Sequence, residues 1–311
     1  MFQNPNRLRL PQSVNDRIKS AIEHPPPSAE RLAAAQQMID ETGCISASPP
    51  VAFQIFSLLR QPQYSTDTLV HLVQLDPDLT AQILRLVNSV QLRGKGVASM
   101  EEAVMRLGAA QVTNAALSLT VGRLVVMPRT GYCPDPEALW RHSVGCALAC
   151  RYLRGICIGV QSDPDLVFTA GLLHDIGKIV INNASVEAVE VIAEIMHEEE
   201  LNASDAELAV FGADHAEIGG QVLERWNLPA ELATAVRFHH APDLDHFGLA
   251  TLVHVGNCCA KVHAGSRGWE DFRKTLQPLA LERLGLSRRK VEECWGEVLQ
   301  SMDDIERFVG G

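Results

Sequence analysis

The sequence lacks the long apolar run that a membrane span requires, since no stretch approaches roughly 18 consecutive apolar residues. Its first residues, Met1 to Arg7, also lack an apolar core like that of a secretory signal peptide. There are 8 cysteines but no Cys-x-x-Cys pair. We interpret the cysteines as small buried hydrophobic residues in a reducing cytoplasm, with disulfide bonding as the alternative.

Positive charge and aromatic residues are both scarce. The formal net charge is −11, which argues against the basic stripe of a direct nucleic-acid binder. Aromatic residues make up 5% of the chain, so aliphatic helix packing must build most of the core. The 46% hydrophobic and 21% charged residues fit an ordinary globular protein with a full core.

Strand-like alternation of apolar and polar residues is absent throughout, and capped amphipathic segments take its place. Ser65 or Thr66 precedes one such segment, and Ser99 with Glu102 forms a capping box before another. Asp205 is expected to cap a helix that continues through His215 to Trp226. The fold class that these patterns predict is all-α.

The segment with the clearest chemistry contains His174 and Asp175 side by side, followed by Gly177 and Lys178. Neighbouring helical residues point about 100° apart, so the imidazole and the carboxylate can converge only near an irregular turn or across a packed groove. Gly177 is suited to ending or bending such a helix. Histidine nitrogen with carboxylate oxygen suits zinc, manganese or iron, but two ligands do not hold a metal.

Further histidines occur in predicted helical segments on both sides of this pair. His142 precedes it, and His215 and the pair His239-His240 follow it. The set predicts a metal site, while the alternative is that these side chains hydrogen-bond to one another in a polar core.

The order of these residues, and the phrases around them, resemble the HDOD (HD-related output domain) family of the HD metal-dependent phosphohydrolase superfamily. The matching phrases are Leu139-Trp-Arg-His-Ser, Ala170-Gly-Leu-Leu-His-Asp-Ile-Gly-Lys, Phe211-Gly-Ala-Asp-His-Ala-Glu-Ile-Gly-Gly, Arg225-Trp-Asn-Leu-Pro and Phe238-His-His-Ala-Pro. Asp76-Pro-Asp-Leu and Ala103-Val-Met-Arg-Leu-Gly match the family's N-terminal half. The resemblance spans about residues 40–260.

The resemblance implies an N-terminal helical bundle packed on an HD-like helical bundle. We expect an N-terminal arm at residues 1–27 and the N-terminal bundle at 28–130. The HD-like bundle is expected at 131–265 and a C-terminal helical extension at 266–311.

The resemblance also implies a ligand set. His142, His174 and Asp175 match the first three ligands of a mononuclear HD site, and Asn257 stands where relatives carry a fourth, aspartate ligand. His254, one turn away, is the alternative fourth ligand. The remaining candidates are three possible second-site ligands, His215, His239 and His240, and one catalytic residue, Lys178, which would stabilise charge on a phosphate.

Some HD relatives, the HD-GYP cyclic di-GMP phosphodiesterases, hold two metals, and two departures from their pattern weaken the enzymatic interpretation. No Gly-Tyr-Pro segment follows His240, and Ala138 stands where those relatives place a glutamate. We therefore expect a divalent metal, Fe, Mn, Zn or Mg, that is weakly bound or absent.

The favoured hypothesis is a cytoplasmic signal-transduction protein that acts by binding partners or a ligand. Its partners would be signalling proteins, a nucleotide ligand or a second copy in a homodimer, with no membrane and no direct nucleic-acid contact. The alternative is a metal-dependent phosphohydrolase or phosphodiesterase that acts on a nucleotide or a cyclic dinucleotide.

Overall fold

The structure, a computed structural model, gives a helical fold for the parts of the chain that it describes. These parts are residues 65–75, 77–90, 97–124, 135–182, 186–198, 201–226, 228–245, 248–263 and 269–309. The predicted N-terminal arm and the first part of the predicted N-terminal bundle, up to residue 64, lie outside them.

Helices account for all the regular secondary structure in these ranges. The N-terminal half contains α1 (Thr66–Gln74), α2 (Pro77–Val90), α3 (Met100–Leu107) and α4 (Ala109–Leu124). The middle contains α5 (Pro136–Arg154), α6 (Pro164–Leu173), α7 (Ile176–Asn182), α8 (Val186–Glu198), α9 (Ala203–Phe211), α10 (His215–Arg225) and α11 (Ala230–Arg237). After a 3-10 turn at Pro242–Leu244 come α12 (Leu249–His263), α13 (Trp269–Thr275), α14 (Ala280–Arg283) and α15 (Arg288–Val309). The all-α prediction is confirmed, and none of these helices could cross a membrane.

Side chains at the predicted helix starts make the expected capping contacts. The Ser65 hydroxyl accepts a hydrogen bond from the main-chain N–H of Asp67 at the start of α1. Ser99 accepts from the Glu102 N–H, and the Glu102 carboxylate accepts from the N–H of Ala98. These local contacts satisfy amide groups that a first helical turn leaves without partners.

The predicted helix from Asp205 to Trp226 is wrong, because two helices stand in its place. Asn202 caps α9 by accepting from the Asp205 N–H, so Asp205 belongs to the first turn. Gly212 ends α9 in the left-handed conformation, with φ of 69°. Asp214 then caps α10, and His215 is its first residue. The break turns the chain so that both helices approach the same site.

The N-terminal helices pack directly on the HD-like helices. α4 contacts both α5 and α6, and its buried residues include Val112 and Leu117. Trp140 of α5 donates a hydrogen bond from its indole nitrogen to the Ser118 carbonyl of α4. One hydrophobic cluster runs from Leu69 in α1 to Met302 in α15, so the two bundles share a core.

Small residues allow the helices around α5 to approach closely. A β carbon on Gly171 of α6 would lie against the main chain of Ala147 in α5. A β carbon on Gly256 of α12 would likewise overlap the sulfur of Cys150 in α5. α5 is therefore the central helix of the HD-like bundle, with α6 and α12 as close neighbours.

Candidate metal centre

The His174-Asp175 pair lies at the junction of two helices. α6 ends at Leu173, His174 closes it, and α7 starts at Ile176 directly after Asp175. The junction is the irregular turn that the sequence required for the two side chains to converge. Gly177, which we expected to end or bend a helix, instead lies within α7. A β carbon on Gly177 would overlap the main-chain carbonyl of His215, so glycine is required there for close approach.

Four imidazoles surround the Asp175 carboxylate. Its Oδ2 lies 3.6 Å from His142 Nε2 and 3.5 Å from His174 Nε2. Its Oδ1 lies 3.2 Å from His215 Nε2 and 3.9 Å from His239 Nε2. Each oxygen of the carboxylate therefore faces a different pair of histidines.

In three of the histidine rings, a hydrogen bond made by Nδ1 determines whether the Nε2 atom that faces Asp175 carries a proton or a free lone pair. Nδ1 of His174 is 2.8 Å from the Gly171 carbonyl, and Nδ1 of His239 is 2.7 Å from the Val236 carbonyl. A carbonyl oxygen can only accept, so both Nδ1 atoms carry the proton. His215 Nδ1 donates in the same way to the Glu207 carboxylate. His174 and His239 thus present an unprotonated Nε2, the form that binds metals, and His215 does so in its neutral form.

The candidate ligands fall into two groups of three. His142, His174 and Asp175 form one, and His215, His239 and His240 the other, with ligand atoms within 4.8 Å of one another in each. Of the eight residues predicted for the site, all except Lys178 and Asn257 belong to these groups. The three predicted second-site histidines therefore lie together, as a ligand set requires.

The chemistry of the donors fits a divalent cation. Asp175 Oδ1 and His239 Nε2 are buried without a hydrogen-bond partner among the described residues. Such unsatisfied lone pairs typically cost about 1–3 kcal/mol each. A cation between these nitrogen and oxygen donors would satisfy them, and zinc, manganese and iron suit the donor types.

The protonation states of these residues also favour the binding of a divalent cation. Burial and the neighbouring His174 lower the pKa of His142 to about 3. Burial lowers the pKa of His174 to about 4, although Asp175 opposes this shift. Burial tends to raise the pKa of Asp175, but His174 and Lys178 outweigh it and hold that pKa well below its usual range. At neutral pH these imidazoles are neutral and the carboxylate is charged, as ligands must be.

Lys178 contacts the central carboxylate rather than open solvent. Its Nζ lies 2.7 Å from Asp175 Oδ2, one turn along the chain. The same oxygen faces His142 and His174, so the ammonium group competes with any cation bound between them. The predicted catalytic residue is therefore placed at the site, paired with its carboxylate.

Asn257 and His254 both lie on α12, which packs along the helix that carries His142. The Asn257 Oδ1 atom is buried and has no hydrogen-bond partner among the described residues. His254 differs, because its Nδ1 donates to the His239 carbonyl and its Nε2 accepts from the Gln277 N–H. With both nitrogens engaged, His254 is not available as the alternative fourth ligand.

Glu207 is the site residue that sequence reasoning missed. It is fully buried in α9, and its carboxylate accepts hydrogen bonds from the His215 ring and from the His215 main-chain N–H. Burial disfavours a charged imidazole, but Glu207 and Asp175 outweigh it and raise the pKa of His215. A sequence signal existed, since Glu207 lies four residues before Phe211 on the apolar face of its helix.

A family model described as "HDOD domain" matches residues 45–242, which is nearly two thirds of the chain. Together with the helical fold and the histidine-aspartate cluster, this match identifies the class. The chain belongs to the HDOD family.

Individual relatives support the family and the fold. An uncharacterized protein of Treponema pallidum is 26% identical over 250 residues, which cover 78% of this chain and 47% of that protein. The chain thus spans about half the length of this relative. Among solved structures, a candidate signal-transduction protein from Marinobacter aquaeolei is similar with a TM-score of 0.71 and 22% identity, over 91% of this chain and 66% of that one. A candidate phosphohydrolase from Shewanella amazonensis is similar with a TM-score of 0.69 and 20% identity, over 88% and 98%. At these identities, the two structures establish the shared fold.

Proposed function

We propose that this chain is a signal-transduction module in which the histidine cluster binds a divalent metal weakly, and output passes through binding rather than turnover. The observation that carries the proposal is the charge of the ligand set. Asp175 is its only carboxylate, Lys178 already pairs with that carboxylate at 2.7 Å, and Asn257 adds no charge. A divalent cation would meet little net negative charge among these residues.

Limited access to the cluster supports the same function. The side chains of His174 and Asp175 are 0% and 1% exposed, while His142 and Lys178 reach 16% and 24%. A hydrolytic centre must admit a phosphate ester to its metal, whereas a binding module need only hold an ion or present a surface. The cluster is thus better suited to stabilising one arrangement of helices than to exchanging substrate and product.

Helix α5 connects the cluster to the N-terminal helices. His142 belongs to the ligand set, and Trp140, two residues earlier, hydrogen-bonds to Ser118 in the N-terminal bundle. A small movement of α5 at His142 would therefore alter the packing of the two bundles. Within this proposal the partner is a signalling protein, a nucleotide or a second copy of the chain, in the cytoplasm. Net charge of −11 disfavours nucleic acid and anionic membranes.

The test combines metal content with activity. After dialysis against a chelator, the protein should bind added Mn²⁺ or Zn²⁺ at micromolar affinity or weaker. It should not turn over cyclic di-GMP or nucleoside monophosphates at rates near the enzyme median of about 10 s⁻¹. Metal-dependent hydrolysis that disappears in His174→Ala and Asp175→Ala would establish the phosphohydrolase instead.

The phosphohydrolase stays the second candidate because both three-residue ligand groups place imidazole nitrogens near the Asp175 carboxylate. A bound divalent ion would supply Lewis-acid polarisation of a phosphoryl oxygen. The Nε2 atoms of His174 and His239 would hold the divalent ion in place. Lys178 would have to leave Asp175 to contact a phosphate.

A further inference from the structure

Glu207, which lies outside the predicted ligand set, forms a buried carboxylate–imidazole pair with the candidate ligand His215. Glu207 Oε2 accepts from His215 Nδ1 at 2.7 Å and also from the main-chain N–H of the same residue. At the far side of the ring, His215 Nε2 lies 3.2 Å from Asp175 Oδ1 and 2.9 Å from His240 Nε2. The ring therefore connects the Glu207 carboxylate to the centre of the cluster.

We propose that Glu207 is a positioning residue of the metal centre. It holds the proton of His215 on Nδ1, orients Nε2 toward the ion, and supplies from outside the ligand set the negative charge that Asn257 does not provide. This inference rests on the metal binding proposed above. Its chemical basis is general, because a carboxylate behind a ligating imidazole orients the ring and strengthens the nitrogen as a donor.

Packing alone does not account for a carboxylate at this position. Glu207 is 0% exposed and lies beside the small hydrophobic cluster that includes Ala206, Phe211 and Ile218. A buried charge is costly, and an apolar side chain of similar volume commonly gives equal or greater stability. The two bonds to His215 give the carboxylate a role that an apolar residue could not perform.

Main-chain geometry makes the arrangement specific to His215. The left-handed Gly212 and the Asp214 cap separate α9 from α10, which brings residue 207 back against residue 215. The bond to the His215 N–H fixes the start of α10, and the bond to Nδ1 fixes the ring. The same carboxylate therefore positions the backbone and the side chain of one ligand.

Cobalt titration tests the proposal, because Co²⁺ reports its ligands through visible absorption. Glu207→Gln keeps an oxygen that can accept from Nδ1 but removes the charge, while Glu207→Ala removes both. We expect Co²⁺ affinity to fall about 10–100-fold in Glu207→Gln, and further in Glu207→Ala with a changed spectrum. Glu190→Gln, an exposed residue of α8, removes the same charge away from the site and should leave affinity and spectrum unchanged.

Two controls separate the possible failures. Wild-type affinity and spectrum in folded Glu207→Gln and Glu207→Ala would overturn the role of Glu207 and leave metal binding intact. A wild-type protein that binds no Co²⁺ would overturn metal binding itself, and this inference with it. Nitrogen-15 NMR of the metal-free wild type requires no variant: a proton on Nδ1 of His215 is expected, and a proton on Nε2 alone would refute the proposal.

Discussion

Gly177 lies against the main chain of His215 so closely that a β carbon at position 177 would overlap the His215 carbonyl. The contact joins α7 to the start of α10. Because Asp175 is two residues before Gly177, the same contact brings its carboxylate within 3.2 Å of His215 Nε2. The glycine therefore determines how closely the two ligand groups approach.

Replacing Gly177 with alanine should destabilise the protein. The obstructing atoms belong to the main chain and cannot rotate away, so we expect a loss of about 3 kcal/mol or more, at the upper end of overpacking effects. Gly296→Ala is the matched control, since its β carbon would meet nothing within 4 Å in helix α15. That change should stabilise by about 0.5–1 kcal/mol. Urea unfolding of both variants measures the difference, and equal stabilities would contradict the overlap.

Changing Asn257 to aspartate should raise metal affinity by at least about tenfold, which corresponds to about 1.4 kcal/mol. The new carboxylate would add negative charge at the position where HD relatives carry a ligand. His254→Gln is the control on the same helix, because both His254 nitrogens are already hydrogen-bonded. Isothermal titration calorimetry with Mn²⁺ measures the affinity of both variants. If Asn257→Asp leaves affinity unchanged while His174→Ala abolishes it, Asn257 is not the fourth ligand position.

Lys178→Met should have opposite effects on stability and on metal affinity. Without metal, the Asp175 carboxylate loses its ammonium partner, which should cost about 3 kcal/mol, at the low end for a buried pair because Lys178 is partly exposed. With metal, removal of the competing cation should tighten binding by about tenfold. Arg273→Met, at an exposed position in α13, should change neither quantity. Thermal unfolding with and without Mn²⁺ measures the stability of each variant and its stabilisation by the metal. Weaker Mn²⁺ binding in Lys178→Met than in the wild type would show that Lys178 does not compete with the metal for Asp175.

The buried cysteines should resist thiol reagents in the native protein. Of the six cysteines among the described residues, five are buried, namely Cys146, Cys150, Cys258, Cys259 and Cys294. Burial raises the pKa of Cys258, and it raises those of Cys146 and Cys259 well above the usual range. Iodoacetamide at pH 8, followed by peptide mass mapping, should modify Cys157 before any of them. Rapid modification of Cys146 in folded protein would contradict this packing.

The last helix is part of the core rather than an appendage. Val298 packs near Gly145 of α5, and the Cys294 thiol donates to the Ala149 carbonyl. Val298→Asp would bury a charge without a partner and should destabilise by about 3–5 kcal/mol. Leu299→Asp, one residue later and 43% exposed, should cost less than about 1 kcal/mol. Denaturant unfolding measures the stability of the two variants. Similar losses of stability in both would argue against the burial of this face of α15 in the core.

The sequence by itself determined that the fold is all-α and which residues are candidate metal ligands. Caps such as Ser65 and Ser99 act within three residues, and the apolar periodicity of a helix repeats within four, so both are visible in a linear pattern. The same locality explains an error: Asp205 has the chemistry of a cap, but Asn202, three residues earlier, makes that contact. Choosing between two good capping residues requires the structure.

Only the tertiary structure decided how the side chains pair. Glu207 pairs with His215 of the next helix, and His254 pairs with the Gln277 main chain. The packing of the helices around the site depends on close approach at residues such as Gly177. A linear pattern does not encode these distances. The sequence therefore identified which residues could bind a metal, and the packing decided which of their atoms are free to do so.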